Sequence, residues 1–538
     1  MEHRQAGSIE SFSLTVPTFA NIAVGGNTYN FGFVGQNLSP AQTTSINVAG
    51  NISYRGNLTS QPLVDGSGNL DPISASAYSS IVAGDSALAG LLSYDVATGV
   101  LSFVGIMAPA TEQALLNPTD ANGNAIFTGA QLTVWQNNIT QLYAASQSAS
   151  LGDNGLALAG PGKFNISANT IDLGISGGIS VLAPDATLAA ISPYGANINV
   201  TTVGNLEMTS TKIANESLLG GISLDVGGAL DVGGQLTLVG NPSVAKGIFT
   251  TSGGNISVTA NGDVNVNSSR IAAYNGGNVT VLSQTGDVNA GTGAAGFVTV
   301  ASEQLNATTG QLVNLPLENI PGSGILATTL PGSAALLGNI TINAPQGSVN
   351  ASLGGVLQIA FNGLGSKTAF IDINAGKDIN ASGSGIIGSN IKLQAGGNIN
   401  GVIIGSQGIN INAGQNVNVT AVSGGNVNIN AVGTVAGTIV GGGDVSVSGD
   451  SIIAAVMGGS VSTSGDTAGA SVGIPQSNAS KDVAETTDAN AATQSSSGDD
   501  DELNKKKKGI SLAQKVSRVT VILPPKKLSE KTTGNNPL

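Results

Sequence analysis

The sequence predicts an all-β chain built as a right-handed parallel β-helix, with a partly helical N-terminal insertion and a disordered C-terminal tail. Three observations predict it. Apolar–polar–apolar triplets recur along the chain, at best every 18 residues. Glycine is abundant, 77 of 538 residues, while aromatic residues make up only 4%. Charged residues are 9% against 41% hydrophobic, the reverse of a disordered composition, so the chain folds.

Most of the triplets follow Gly or Asn. They begin at Ile179, Ile198, Ile222, Ile256, Val279, Val298, Ile340, Ile371, Ile391, Ile409, Val427 and Val445. From Ile371 to Val445 the intervals are 20, 18, 18 and 18 residues. Alternation of this kind marks half-buried strands. In "ININAGQNVNVTAVSGG", Ile409, Ile411, Val417 and Val419 face inward and Asn410 and Asn418 outward, with corners at Ala413-Gly414 and Ser423-Gly424. Three short strands and three corners make one turn, which cannot bury its inner face alone. Stacked turns can, at ~4.8 Å per turn. Residues 160–475 then hold about 15 turns, roughly 70–75 Å in all. A narrow interior suits Ile, Val, Leu and Ala and leaves no room for aromatic rings. In "IDINAGKDIN", Ile371, Ile373 and Ile379 face the core, Gly376 turns a corner, and Asn374 and Asn380 are placed for side-chain ladders. Like charges stacked one turn apart repel, so few are expected. The pair Lys377-Asp378 is the unexplained part of the phrase.

The order of segments follows. Residues 1–72 form a β-rich segment, with strands in "SFSLTVPTF" and "TSINVAGNISYRGNL". Residues 73–159 break the pattern and are read as the partly helical insertion packed on the stack. There "GAQLTVWQNNITQLYAAS" puts Leu132, Trp135, Ile139, Leu142 and Tyr143 on one helical face, and "ATEQALLN" is another helical turn. Trp135 is the anchor of that packing. Residues 160–475 are the repeats. Residues 476–517 form a polar, disordered linker, with an acidic block at Asp499–Glu502 beside the basic run Lys505–Lys508. Residues 518–538 hold a short strand, Val519–Leu523, stopped by Pro524-Pro525, and a tail.

Several function classes are excluded. A net charge of −13 opposes binding to nucleic acid and to anionic membranes. There is no Cys, hence no disulfide, thiolate nucleophile or thiolate metal ligand. No run of 18 apolar residues predicts a transmembrane segment. "MEHRQAGSIESFSLTV" lacks the apolar stretch of a signal peptide, so the chain reads either as cytoplasmic or as the later portion of a longer protein. The single histidine, His3, sits in a terminus read as frayed, without a partner pattern. No phosphate loop, nucleophile elbow or calcium nonapeptide occurs. Asp263, Asp287 and Asp444, each in Gly-Asp-Val, are read as corner residues bonding their own backbone. No catalytic, cofactor-binding or metal-binding residue is predicted. The rival reading is a β-helix enzyme acting on polysaccharide. It needs carboxylates clustered across neighbouring turns. The charged candidates are Asp225, Asp231, Asp263, Arg270, Asp287, Asp372, Lys377, Asp378 and Lys392, of which Asp372, Lys377, Asp378 and Lys392 could meet. No aromatic sugar platform accompanies them, and they are read as solvated corners.

"IDINAGKDINAS", "IKLQAGGNINGVIIG" and "ININAGQNVNVTAVSGGNVNINAVG" resemble the repeats of filamentous haemagglutinin-like exoproteins. The resemblance covers about residues 160–475. It implies a secreted or surface-exposed adhesin of a Gram-negative bacterium, exported through an outer-membrane two-partner secretion transporter and binding a host or bacterial cell-surface glycan or protein. The family's N-terminal secretion motif of Asn-Pro-Asn-Gly type is not found in this sequence. A third reading is a biofilm matrix component without a specific receptor.

Overall fold

The computed structural model describes residues 2–473, except 6, 55–59, 86–87, 89–90, 105–106, 108, 148–154, 175, 210, 234–246, 294–296 and 366. The expected linker 476–517, the Lys505–Lys508 run and the strand and tail of 518–538 lie outside the described residues.

The architecture is all-β in its main body, dominated by one 36-stranded sheet. Its strands stack in three parallel columns. In the first, Ile198, Ile222, Ile256, Val279, Ile340, Ile371, Ile391, Ile409, Val427 and Val445 pair in succession. The second runs through Leu206, Leu230, Val264, Val288, Val349, Ile379, Ile399, Val417 and Val435. The third runs through Ile213, Ile248, Ile271, Ile325, Val356, Ile386, Ile403, Ala421, Ile439 and Val456. All of these side chains are buried in one continuous core. Each full burial of an Ile or Val is worth about 1.5–3 kcal/mol, so the inward files hold the stack together.

Four expectations are corrected. First, residues 2–53 are no separate segment. Gly32–Gln36, Thr43–Val48 and Ile52–Ser53 pair in parallel with Gly155–Ala159, Gly162–Ala168 and Ile171–Asp172, so the sheet closes across the insertion. His3 itself lies in a strand paired with Asn21–Val24. Second, the insertion is partly helical as expected, but it begins before residue 73, with the strand Ser60–Pro62, and it contains a sheet. The helices Ala75–Gly84, Pro109–Leu116 and Gly129–Gln147 accompany an antiparallel sheet of Ser60–Pro62, Leu92–Asp95 and Val100–Val104. Trp135 anchors the insertion's own core, stacked on Phe127 at 4.5 Å and donating Nε1–H to the Leu115 carbonyl at 2.6 Å. Third, the interior does take aromatic rings, in its N-terminal turns. Phe31, Phe33, Tyr54 and Phe164 are buried there. Gly35 makes the room, since a Cβ on it would lie 2.4 Å from Phe33 Cζ. Fourth, the triplets are not all equivalent. Ile179 belongs to the third column. Val298 lies outside the large sheet, in Phe297–Val300, which pairs antiparallel with Glu318–Pro321. With the strands Glu303–Leu305 and Leu312–Asn314 it forms a second insertion, and 61 residues separate the paired turns at Asn278 and Asn339. The sequence therefore makes fewer turns than an even spacing implies.

Candidate functional site

Outside the apolar core, Asn and Asp side chains link turn to turn. Where the chain enters a strand, a side-chain oxygen accepts a hydrogen bond from a backbone N–H of the next turn. Asn255 accepts from Asn278, Asn278 from Asn339 and Asn339 from Phe370, at 2.8–3.1 Å. Asp263 does the same for Asp287 N–H, and Asp287 for Ser348 N–H, both at 2.7 Å. Asp444 accepts from the Ser460 hydroxyl at 2.6 Å. The corner aspartates thus bond the following turn rather than their own, which corrects the sequence reading. A stacked chain offers a donor in the next turn about 4.8 Å away, and these three aspartates take it. Asn374 and Asn380 do form ladders: Asn374 donates to Asn343 at 3.2 Å and Asn380 to Asn350 at 2.8 Å. Asn138, part of an N-glycosylation sequence, is buried and donates to Asp71, so that site is closed in the folded insertion.

The structure divides the charged candidates. Asp372 and Lys392 are register partners on adjacent turns and form an ion pair at 3.3 Å, 36% and 54% exposed. Asp378 sits in a corner instead, where Oδ1 accepts from the Asn398 N–H at 2.6 Å. Lys377 is exposed beside it. The two carboxylates thus have different partners in different columns. Asp231 accepts from Asn265 at 3.0 Å as the start of an amide ladder.

Asp372 and Lys392 border a shallow groove of about 370 Å³ on the outer face of the first column. Two files of outward side chains line it over four turns. One is Phe370, Asn390, Gly408 and Asn426; the other is Asp372, Lys392, Asn410 and Asn428. Phe370 is 39% exposed, so an aromatic ring does accompany the charged pair. This corrects the sequence reading, in which the platform was absent. Strand parity would have found it: Phe370 stands two residues before Asp372 and so shares its face.

Arg270 is placed elsewhere, buried under the second insertion. Its Nη1 donates to the Tyr274 hydroxyl and the Ile320 carbonyl, both at 3.3 Å. Around it the outer face of the third column is apolar. Ala272, Tyr274, Leu326 and Leu357 pack against Val298, Val300 and Ile320 of the insertion. Five of the six buried, unpartnered side-chain polar atoms of the described residues lie here: Ser269 Oγ, Arg270 Nε, Asn275 Oδ1, Glu303 Oε2 and Thr328 Oγ1. Burial raises the Glu303 carboxyl above its ordinary range.

A family match falls on this interrupted stretch. Residues 276–367 match the family described as filamentous haemagglutinin family outer membrane protein. The resemblance, read over about residues 160–475, is borne out over 276–367 within that range; the match ends before Ile371, where the most regular repeats begin. No curated protein and no solved structure matches the chain. The haemagglutinin-family segment holds the whole second insertion together with the strands Val279–Ser283, Gly324–Thr329, Ile340–Ala344 and Val356–Ala360 around it. Its description as an outer-membrane protein supports a surface location in a Gram-negative cell. Among the described residues no helix is long and apolar enough to cross a membrane.

Proposed function

We propose that the parallel sheet winds as a right-handed parallel β-helix and that the chain serves as an adhesive, non-catalytic surface element of a Gram-negative bacterium. The observation that carries this reading is the filamentous haemagglutinin family match lying on turns of the parallel stack, together with the insertion they carry. A long face of repeated outward Asn, Ser and Thr offers many weak contacts, which sum to useful affinity when several engage at once. An outer-membrane two-partner secretion transporter is the export partner this reading requires, and a glycan or protein of a host or neighbouring cell is the receptor class.

The polysaccharide-cleaving alternative is less well supported. Asp372 is engaged by Lys392 and Asp378 by Asn398, so the nearest carboxylates serve structure in separate columns. Beads coated with the purified chain, presented to epithelial and bacterial cells, test the reading. Adherence above that of albumin-coated beads is expected. Absence of adherence, or release of reducing ends from surface polysaccharide that D372N/D378N abolishes, would overturn it. Electron cryomicroscopy of the same sample would read the hand of the winding directly.

A further inference from the structure

The groove beside Asp372 is lined by one glycine that the backbone does not require. Most glycines of this stack are demanded by the backbone. A Cβ at Gly414 or Gly425 would lie 2.1 or 1.8 Å from a carbonyl oxygen of the preceding turn, and Gly401 and Gly437 have φ of +110° and +105°. Gly408 differs. It has no positive φ, and a Cβ on it would come no closer than 3.7 Å to any atom. The fold would accept a side chain there. Its absence opens a gap between Asn390 and Asn426 in a file that starts at the exposed ring of Phe370.

The lining suits one chemistry. An aromatic face at one end takes the apolar C–H face of a ring. Amides that both donate and accept, from Asn410 and Asn428, meet hydroxyl edges, which also donate and accept. Asp372 and Lys392 add an acceptor and donors but cancel in charge. An anionic ligand gains no net attraction here, and the chain's −13 opposes it. The pattern of an apolar platform with a few convergent polar groups is that of a small-molecule site. Three turn intervals of ~4.8 Å give a length of about 14 Å, enough for a short linear chain of sugars.

We propose that this groove binds an uncharged oligosaccharide, with its ring stacked on Phe370, its hydroxyls on Asp372, Lys392, Asn410 and Asn428, and its body in the gap left by Gly408. The proposal rests on the adhesive reading above and names the receptor class of one site.

Saturation-transfer NMR and titration of the full chain with maltotriose, cellotriose and a galactose trisaccharide test it. A sulfated disaccharide and a tripeptide are the comparison ligands. At least one neutral trisaccharide should bind, and G408V and F370A should each weaken it by roughly tenfold or more. Both substitutions point outward, so circular dichroism melting should match the parent, and N418A, outside the groove, should bind normally. Binding that survives G408V and F370A would overturn the proposal, as would binding only of the sulfated ligand or of the peptide, or of no probe at all. Bead adherence by a chain that binds no neutral sugar would sink the groove and leave the adhesive reading standing. Loss of adherence together with sugar binding intact would do the reverse.

Discussion

Between Ser53 and Asn418, the outward file of the second column has an acidic end and an amide end with different chemistry. At one end Asp172, Glu207 and Asp231 are register partners on successive turns. From Asp231 the file changes to amides: Asn265, Asn289, Asn350, Asn380 and Asn400. In the amide part each side chain donates to the one before it, at 3.0, 2.7, 2.7, 2.8 and 3.5 Å from Asn265 to Asn400. Stacking presents each residue with a copy of its own position. An amide satisfies a copy of itself because it carries both donor and acceptor. A carboxylate only accepts, so carboxylates stacked this way repel without bonding. The acidic end departs from the expectation that like charges would be avoided between turns. The amide end shows what that avoidance achieves.

The inward neighbour of the ladder sets the scale for breaking it. Ile379 is fully buried beside Asn380. Ile379→Ala should cost about 2–5 kcal/mol of unfolding free energy, read by urea denaturation, because neighbouring turns cannot collapse into the gap. A cost below that of the outward substitutions would mean that amides rather than the core carry the stack. Next comes conversion of the amide end into the acidic one. Asn350→Asp removes the donor that now meets Asn289 and sets two acceptors face to face, at an expected cost of about 1–3 kcal/mol at neutral pH. The loss should shrink in acid, where a protonated carboxyl can donate again. Unchanged stability at neutral pH would show that the ladder only decorates the sheet. The opposite conversion is the smaller effect. Glu207→Gln should stabilise by about 0.2–1 kcal/mol at neutral pH and less in high salt, since the charge it removes is exposed.

These contrasts also explain what could be read in advance. Ile371, Ile373, Ile379, Asn374 and Asn380 were all legible, because alternation fixes side-chain parity and an even interval fixes the register partner. Both signals are local and repeated. The second insertion was not legible. Val298-Thr-Val carries the same alternation as its neighbours, and nothing local distinguishes a parallel rung from an antiparallel hairpin; only the 61-residue step from Asn278 to Asn339 does. The groove failed for another reason. Phe370, Asn390, Gly408 and Asn426 lie up to 56 residues apart, and only the register gathers them. Arg270 looked like one more solvated corner. Its burial depends on the hairpin Phe297–Pro321 that covers it, which its own surroundings in sequence do not announce.

The acidic end makes one further prediction, and its sign can be worked out. The Asp172 carboxyl is raised above its ordinary range, first by burial and further by the charge of Glu207, against the Gly174 N–H that donates to it at 2.9 Å. A raised value means that the folded chain holds the proton more tightly than the unfolded chain does. The associated stability is fully present below the ordinary carboxylate range, near pH 4, and is lost as pH rises through the raised value. Asp172→Asn keeps an oxygen for Gly174 and never ionises. Its urea midpoint, compared with that of the parent, should therefore improve as pH rises from the acid range and level off once Asp172 is ionised. In a Glu207→Gln background the improvement should be smaller, because part of the cause is gone, and the two substitutions should couple as contacting neighbours do. A penalty for Asp172→Asn that grew with pH would mean that the Gly174 hydrogen bond outweighs burial, and that the acidic end of the file is as well satisfied as the amide end.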